Sequence, residues 1–272
     1  MFDASLYLWS LLLMLPIPLL TWIVSLFKRD ASIVDSIWSL MFLALALAYT
    51  VPAWLNGSLE PRAVLMLMLV ATWALRLSLY ITWRNRGMDE DHRYQALRRR
   101  HDPGFAFKSL YLVFGLQGLL AWFISLPLLA AATGTTPLGA LDLLAVIVWL
   151  AGFGFEAVAD AQLAAFRADP ENRGRVLDTG LWRYTRHPNY FGECTLWWGY
   201  YLLAVAAGGW WSLPAPLLMT FLLLRVSGVA LLERDIGERR PDYREYVRDT
   251  NAFIPGPRKP PLAAGGPGGG AA

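Results

Sequence analysis

The sequence predicts an all-α, polytopic membrane protein with seven transmembrane helices. Of its 272 residues, 56% are hydrophobic and only 17% are charged, whereas a soluble domain carries about 25% charged residues. A bilayer is crossed by about 20 apolar residues in a helix. Seven runs are long enough: 4–27, 33–54, 62–83, 107–131, 139–166, 190–208 and 210–232. We therefore expect a single seven-span domain over residues 1–255.

Breaker residues refine this prediction along the chain. Pro16 and Pro18 fall inside the first run and should bend its helix. Gly208 and Gly209 separate the last two runs and predict a tight helical hairpin. Residues 256–272 are rich in Pro, Gly and Ala, which is typical of a disordered tail.

Lysine and arginine lie in alternate loops and set the predicted orientation. They follow the first, third, fifth and seventh runs, whereas loops 55–61, 132–138 and 208–210 contain neither. The positive-inside rule then predicts a periplasmic N-terminus and a cytoplasmic C-terminus, in a bacterial inner membrane. The rule accounts for the basic loops by itself, so they are weak evidence for an anionic partner. No nucleic-acid partner is expected, and the sequence leaves the oligomeric state open.

Cysteine and histidine usage argues against metal chemistry. Cys194 is the single cysteine, which excludes a disulfide framework and a multi-cysteine metal site. The three histidines are scattered without the spacing of zinc or di-iron ligands. We expect no bound metal.

Ionisable residues inside the apolar runs are rare and usually functional. Asp35 lies at the start of the second run, Arg76 in the third and Arg225 in the seventh. In one interpretation these three neutralise one another or extend to the membrane surface. In the other, Asp35 is a functional acid.

Two carboxylates mark the fifth run. Glu156 and Asp160 are one helical turn apart on one face, and Arg167 follows seven residues later on the same face. Like charges at this spacing repel, so a partner or a bound ligand should hold them. We predict a ligand site on this face.

An octapeptide, Arg-His-Pro-Asn-Tyr-Phe-Gly-Glu at residues 186–193, begins the sixth run. Pro188 suits the first turn of a helix, where its missing N–H is not needed. Free N–H groups at that helix start, with Arg186 and His187 beside them, would bind a phosphate or carboxylate. Asn189 both donates and accepts, which suits a carboxamide such as nicotinamide. The alternative is a capped helix with a structural pair between Glu193 and an arginine.

This octapeptide resembles the C-terminal signature of the steroid 5-alpha-reductase family, and the resemblance covers about residues 150–256. It implies a seven-span bundle that binds NADPH on its cytoplasmic side. Arg167 and Arg173 are the expected partners of the 2′-phosphate. The full set of expected cofactor contacts is Glu156, Asp160, Arg167, Arg173, Arg186, His187, Asn189, Tyr190, Glu193, Arg234 and Tyr246.

The front half departs from that family. The family polarises its substrate with a Gln-Glu pair on the second span and a tyrosine on the third. Here no Gln-Glu pair occurs, and Asp35 and Tyr80 are the acid and the tyrosine of those spans. We expect them to be catalytic: a protonated acid or a phenol would bind the carbonyl of an enone that arrives from the lipid. The implied enzyme is an NADPH-dependent oxidoreductase acting on CH–CH groups of a steroid-like or other lipid substrate.

Two alternatives stay open. The core Arg-His-Pro-x-Tyr of residues 186–190 also resembles isoprenylcysteine carboxyl methyltransferases, which implies transfer of a methyl group from S-adenosylmethionine to a lipid-borne acceptor. The spacing from Asp160 to Arg167 and the extension to Glu193 favour the dinucleotide instead. A non-enzymatic membrane scaffold is the third hypothesis, but it does not explain why polar residues cluster on one cytoplasmic face.

Overall fold

The structure, a computed structural model, describes residues 2–226 and 243–258, and over these residues it is helical without a β-strand. The all-α prediction is thereby confirmed. We number the helices α1 Ala4–Lys28, α2 Ile33–Leu55, α3 Pro61–Arg84, α4 His92–His101, α5 Phe105–Thr133, α6 Ala140–Ala168, α7 Pro188–Ala206, α8 Trp210–Val226 and α9 Tyr243–Asp249. Short 3₁₀ turns cover Pro170–Asn172 and Gly180–Arg183.

Five helices within the described residues, namely α1, α2, α3, α5 and α6, are long and apolar enough to cross a membrane. The integral membrane character of the protein follows from them. The helix α7 has 19 residues but carries Asn189 and Glu193 in its first two turns. The helix α8 ends at the limit of this described stretch, at Val226. The prediction that α7 and α8 also span the membrane therefore stays a prediction.

Several helices are irregular, some of them where the sequence contains proline or glycine. The helix α1 is interrupted at Leu15, directly before Pro16, where the sequence predicts a bend. The chain between α7 and α8 turns at Gly208, whose φ of +78° suits only glycine. Both α5 and α8 contain a π-helical stretch, at Leu110–Gly115 and Leu222–Val226, a distortion that often accompanies function.

The described chain forms two compact units. The first contains the residues up to Trp149 together with Trp197–Met219. Its helices α2 and α3 pack against each other. Ring centres of Phe42, Trp73 and Trp197 lie 4.7–5.7 Å apart, and all three side chains are fully buried. Aromatic packing therefore forms the core of this unit.

A buried ion pair joins the start of α3 to the start of α6 in the same unit. The Arg62 guanidinium donates to both carboxylate oxygens of Asp142, over 2.7 and 2.9 Å. It also donates to the carbonyls of Thr136 and Pro137 and to the Thr136 hydroxyl. The Gly139 N–H donates over 2.8 Å to Oδ2 of Asp142, which also accepts from Arg62. Such complete pairing allows both charges to be buried.

The second unit contains Leu150–Leu196 and the described residues from Thr220 onward. In it, the chain after α9 is fastened to the loop before α7. The Thr185 hydroxyl donates to the Phe253 carbonyl over 2.8 Å, and the Gly256 N–H donates to the Tyr184 carbonyl over 3.0 Å. Arg258 forms an ion pair with Asp178 over 2.6 Å.

The predicted disordered tail, residues 256–272, stays a prediction, and three of its residues are described. Residues 256–258 make specific contacts because their backbone and the Arg258 guanidinium find partners on the preceding loop. The rest of the predicted tail, residues 259–272, lies outside the described residues.

Candidate functional site

Two glycines allow α6 and α7 to cross at backbone contact. A Cβ atom at Gly192 would lie 2.4 Å from the Glu156 nitrogen and 2.6 Å from the Gly152 carbonyl oxygen. A Cβ at Gly152 would lie 2.4 Å from the Leu196 nitrogen. Only glycine permits this approach at either position. The crossing places the polar start of α7 against the turn of α6 that carries the two carboxylates.

Asp160 and Asn189, both predicted site residues, meet directly at this crossing. The Asn189 amide nitrogen donates to an Asp160 carboxylate oxygen over 3.3 Å, and the Asn189 amide oxygen accepts from the Tyr190 N–H over 3.1 Å. Asp160 and Glu156 are 4% and 2% exposed. Asn189 and Glu193 are half-buried. Burying two carboxylates one turn apart costs free energy that close partners must offset.

His187 and Tyr190 stack on each other beside this pair. Their ring centres are 5.8 Å apart with an angle of 11° between the planes. His187 is buried, and its backbone N–H donates to the Thr185 hydroxyl over 3.3 Å. The helix α7 begins at Pro188, as predicted. The Phe191 N–H donates back to the His187 carbonyl, which closes the first turn.

Arg186 has a structural role that the sequence did not predict. Its guanidinium donates to the carbonyls of Val247 and Thr250 at the end of α9, over 3.0 and 2.5 Å. The backbone N–H of Arg186 donates to the Asn251 carbonyl over 2.9 Å. A cation at a helix C-terminus satisfies carbonyls that have no partner inside the helix. Arg186 therefore holds α9 and its extension in place, and these contacts use donors that the sequence assigned to an anion.

Tyr246 also fastens the same loop. Its hydroxyl donates to the Trp182 carbonyl over 2.5 Å, and the side chain is 5% exposed. Burial, together with the neighbouring Tyr243, raises the pKa of Tyr246 well above its usual range. The hydroxyl therefore stays protonated and continues to donate.

A charged cleft of about 290 Å³ opens beside Tyr246. Cations and carboxylates share its wall: Arg175, Asp178, Glu245, Asp249 and Arg258. Its two arginines are balanced by three carboxylates, so the cleft as a whole does not favour an anion.

The other predicted cofactor residues are spread more widely. Arg167, in the last turn of α6, and Arg173, in the loop after it, are exposed. Arg234 lies outside the described residues. The structure thus brings together Glu156, Asp160 and the start of α7, and it leaves two cations accessible at the end of α6.

Asp35, one of the two predicted catalytic residues, is an acceptor in the structure. Arg93 donates to one of its oxygens and the Tyr94 hydroxyl to the other, each over 2.7 Å. Burial alone would lower the pKa of Arg93, but the facing carboxylates of Asp35 and Asp91 raise it. Asp35 thus accepts from both neighbours in this arrangement, and its catalytic role stays a prediction.

Tyr94 and Gln117 complete this cluster and were missed by the sequence reasoning. The Gln117 amide donates to the Tyr94 hydroxyl over 3.1 Å. Burial, and then the Asp35 charge, raises the pKa of Tyr94 well above its usual range. A tyrosine within the run of charges 89–100 was the available signal.

Tyr80, the second predicted catalytic residue, lies among other groups of α3. Its ring centre is 6.2 Å from that of Trp83, and the guanidinium carbon of Arg84 lies 5.7 Å away. Its catalytic role stays a prediction. Within the described part of the chain, no three histidine, cysteine or carboxylate side chains are grouped as metal ligands.

Comparisons with known proteins give a matching family profile and a relative of similar sequence. The profile of a family described as a protein of unknown function, DUF1295, matches residues 21–250. An uncharacterised protein of the fission yeast Schizosaccharomyces pombe is 25% identical over 264 residues, which cover 86% of this chain and 75% of the yeast protein. No solved structure matches the chain.

Proposed function

The chain belongs to the DUF1295 family, and we propose that it is a membrane-embedded reductase that transfers a hydride from NADPH to an activated C=C bond of an apolar, lipid-borne substrate. The resemblance of residues 186–193 to the steroid 5-alpha-reductase signature supports this chemistry. We further propose that α7 and α8 cross the membrane, so that the protein has seven spans.

The observation that carries the proposal is the contact between the buried Asp160 and the half-buried Asn189 at the glycine crossing. An asparagine amide can donate two hydrogen bonds and accept two. Within the described residues, Asn189 donates one and accepts one. The remaining N–H and lone pair suit a carboxamide, which has the same donor and acceptor set. The half-buried Glu193 lies one helical turn beyond Asn189 on the same face.

Other residues would hold the rest of the cofactor. Arg167 and Arg173 are exposed beyond the buried carboxylates, and guanidinium groups bind phosphates with two hydrogen bonds. NADPH supplies the hydride when it is bound. The chain itself contributes orientation of the carboxamide by Asn189, burial that excludes water, and cations for the phosphates.

On the substrate side, a phenol remains the best donor to a substrate carbonyl. Tyr80 keeps its predicted role as this donor, because the single proton of the Tyr94 hydroxyl is already donated to Asp35. A hydrogen bond to the carbonyl oxygen withdraws electrons from the β-carbon and so assists hydride addition.

Cofactor binding to Asn189 variants tests the proposal. Purified protein in detergent should melt at a higher temperature with NADPH, because a ligand that binds the folded state stabilises it. Asn189→Ala should weaken NADPH binding by about 1–3 kcal/mol, the cost of leaving a buried polar group unpaired. Glu193→Ala should have a similar effect. Titration of NADPH fluorescence measures both.

Asn56→Ala is the matched control, because Asn56 is exposed in the loop between α2 and α3. It should bind NADPH as the wild type does. Unchanged affinity in both α7 variants would assign the octapeptide to helix capping. Stabilisation by S-adenosylmethionine in place of NADPH would favour the methyltransferase.

A further inference from the structure

A groove of about 1120 Å³ lies in the first unit, where the end of α1, the start of α2 and the end of α3 meet. Groove residues on α2 follow helical spacing at 33, 36 and 37, and those on α3 at 79, 82 and 83, so each helix lines the groove with one face. The apolar part of the wall consists of Leu20, Val24, Ile33, Ile37, Leu79 and Trp83. Leu20, Leu79 and Trp83 are 60–69% exposed, as expected of side chains that face lipid.

Three cations stand at the polar end of the same groove. Lys28, Arg29 and Arg86 line it and are exposed. Within the described part of the chain, no carboxylate forms an ion pair with these three side chains. They follow α1 and α3, two of the helices that are long and apolar enough to cross a membrane. The groove therefore joins an apolar wall to a cluster of cations at the ends of candidate spans.

Three carboxylates, Asp30, Asp89 and Glu90, also line the groove. Asp89 is exposed, and the other two have partners of their own. Asp30 accepts from the N–H and hydroxyl of Ser32, over 2.8 and 2.5 Å. Glu90 accepts from Arg98 and from the Ala31 N–H. Although burial acts to raise the pKa of Glu90, its hydrogen bonds to Arg98 and Ala31 lower it. Glu90 is therefore ionised, and its charge is paired with that of Arg98.

Backbone strain marks one of the cations. Arg29 has a φ of +54° and is the one described residue other than glycine with a positive φ. A left-handed conformation costs an L-residue about 1 kcal/mol or more, and glycine adopts it without this cost. Arg29 is the C-cap residue of α1, and its backbone N–H donates to the Ser25 carbonyl, so the left-handed conformation ends the helix.

We propose that this groove binds the phosphate-bearing head group of an anionic membrane lipid, with the acyl chains along the apolar wall. Lys28, Arg29 and Arg86 would contact the phosphate, and a guanidinium can do so with two hydrogen bonds. The groove is larger than most sites for small ligands, which suits a head group together with the first part of two chains. This inference is independent of the proposed reductase activity.

Lipid titration of a charge variant tests the inference. Detergent-purified wild type should be stabilised against heat by added phosphatidylglycerol and much less by phosphatidylcholine with the same chains, because the latter carries no net charge. The double variant Lys28→Gln/Arg86→Gln should bind phosphatidylglycerol about 25-fold more weakly, about fivefold for each cation removed. Apparent affinities follow from the dependence of melting temperature on lipid concentration.

The matched control is Arg99→Gln/Arg100→Gln, which removes two exposed cations of α4 that do not line the groove. It should keep the wild-type affinity. Equal loss in both double variants would mean general attraction to a basic surface and would overturn the site. Ser36→Phe fills the groove floor without changing charge, and it too should weaken phosphatidylglycerol binding.

Two further probes separate the lipid from other phosphates. Inorganic phosphate alone should not stabilise the wild type, because it has no chains for the apolar wall. NADPH should not compete with phosphatidylglycerol. Competition by NADPH, with loss of NADPH affinity in Lys28→Gln/Arg86→Gln, would make the groove part of a nucleotide site and overturn the lipid assignment.

Discussion

Arg62 and Asp142 illustrate how single residues keep a charge inside this apolar chain. Both side chains are almost fully buried, and the guanidinium has five acceptor contacts on three residues. Asp142→Asn should lower stability by about 3–5 kcal/mol, because it leaves the Arg62 charge buried without a counter-charge. Thermal unfolding in detergent measures the effect, and it is followed by the change in tryptophan fluorescence or by aggregation.

A double variant provides the control for this prediction. Arg62→Met with Asp142→Leu removes both charges together, and it should cost less than Asp142→Asn alone, since no unpaired charge remains. If the single variant is as stable as the wild type, water must reach Arg62 and the pair is not the structural element described above.

The ion pairs of Arg62 with Asp142 and of Arg93 with Asp35 also show what the sequence could not predict. Asp35 looked like an isolated acid at the start of the second run, and a protonated donor was the natural interpretation. Its partner Arg93 lies 58 positions later, in a stretch that looked like an ordinary basic loop. Asp160 and Asn189 were easier to predict because a family signature names both. Partners that come from distant loops have no local pattern, so only the fold identifies them.

At the scale of elements, the described helix ends were predicted within about two residues because the change from apolar to polar residues is sharp. The predicted end of the seventh run, at residue 232, lies outside the described residues. The short helix α4 was missed, since its charges hide any apolar periodicity. The glycine crossing was also missed. Gly192 was recognised as part of the octapeptide, but close contact with Gly152 on another helix is a property of the packing and leaves no trace in spacing.

Gly192→Ala should disturb that crossing. The new Cβ would lie 2.4 Å from the Glu156 nitrogen and 2.6 Å from the Gly152 carbonyl oxygen. Both are backbone atoms, so the helices must separate, at a cost of about 1–3 kcal/mol for overpacking. We expect a lower melting temperature and weaker binding of NADPH, because Asn189 then shifts away from Asp160.

Gly154→Ala is the control on the neighbouring turn of α6, where a Cβ would meet no atom within 4 Å. Alanine is the better helix former by about 0.5–1 kcal/mol, so this variant should be equal to the wild type or slightly more stable. If Gly192→Ala melts at the same temperature as Gly154→Ala, α6 and α7 do not touch at these positions.

At the scale of the whole molecule, the distribution of charge predicts how the chain lies in the membrane. The loop between α3 and α5 is basic and includes α4, whereas the loops between α2 and α3 and between α5 and α6 contain no Lys or Arg. Arg62 borders one of the neutral loops, but its charge is balanced by Asp142. The positive-inside rule therefore still gives an N-terminus in the periplasm and a C-terminus in the cytoplasm.

Reporter fusions at three positions test both this orientation and the number of spans. Alkaline phosphatase, which is active only in the periplasm, should be active when it is inserted at Ser58 and inactive when it is fused to the C-terminus. An insertion at Gly208 decides whether α7 and α8 span. It should be active with seven spans, because α7 returns the chain to the periplasm, and inactive if the chain stays in the cytoplasm after α6. Activity at both Ser58 and the C-terminus would contradict an odd number of spans, and reversed activity at every position would contradict the orientation.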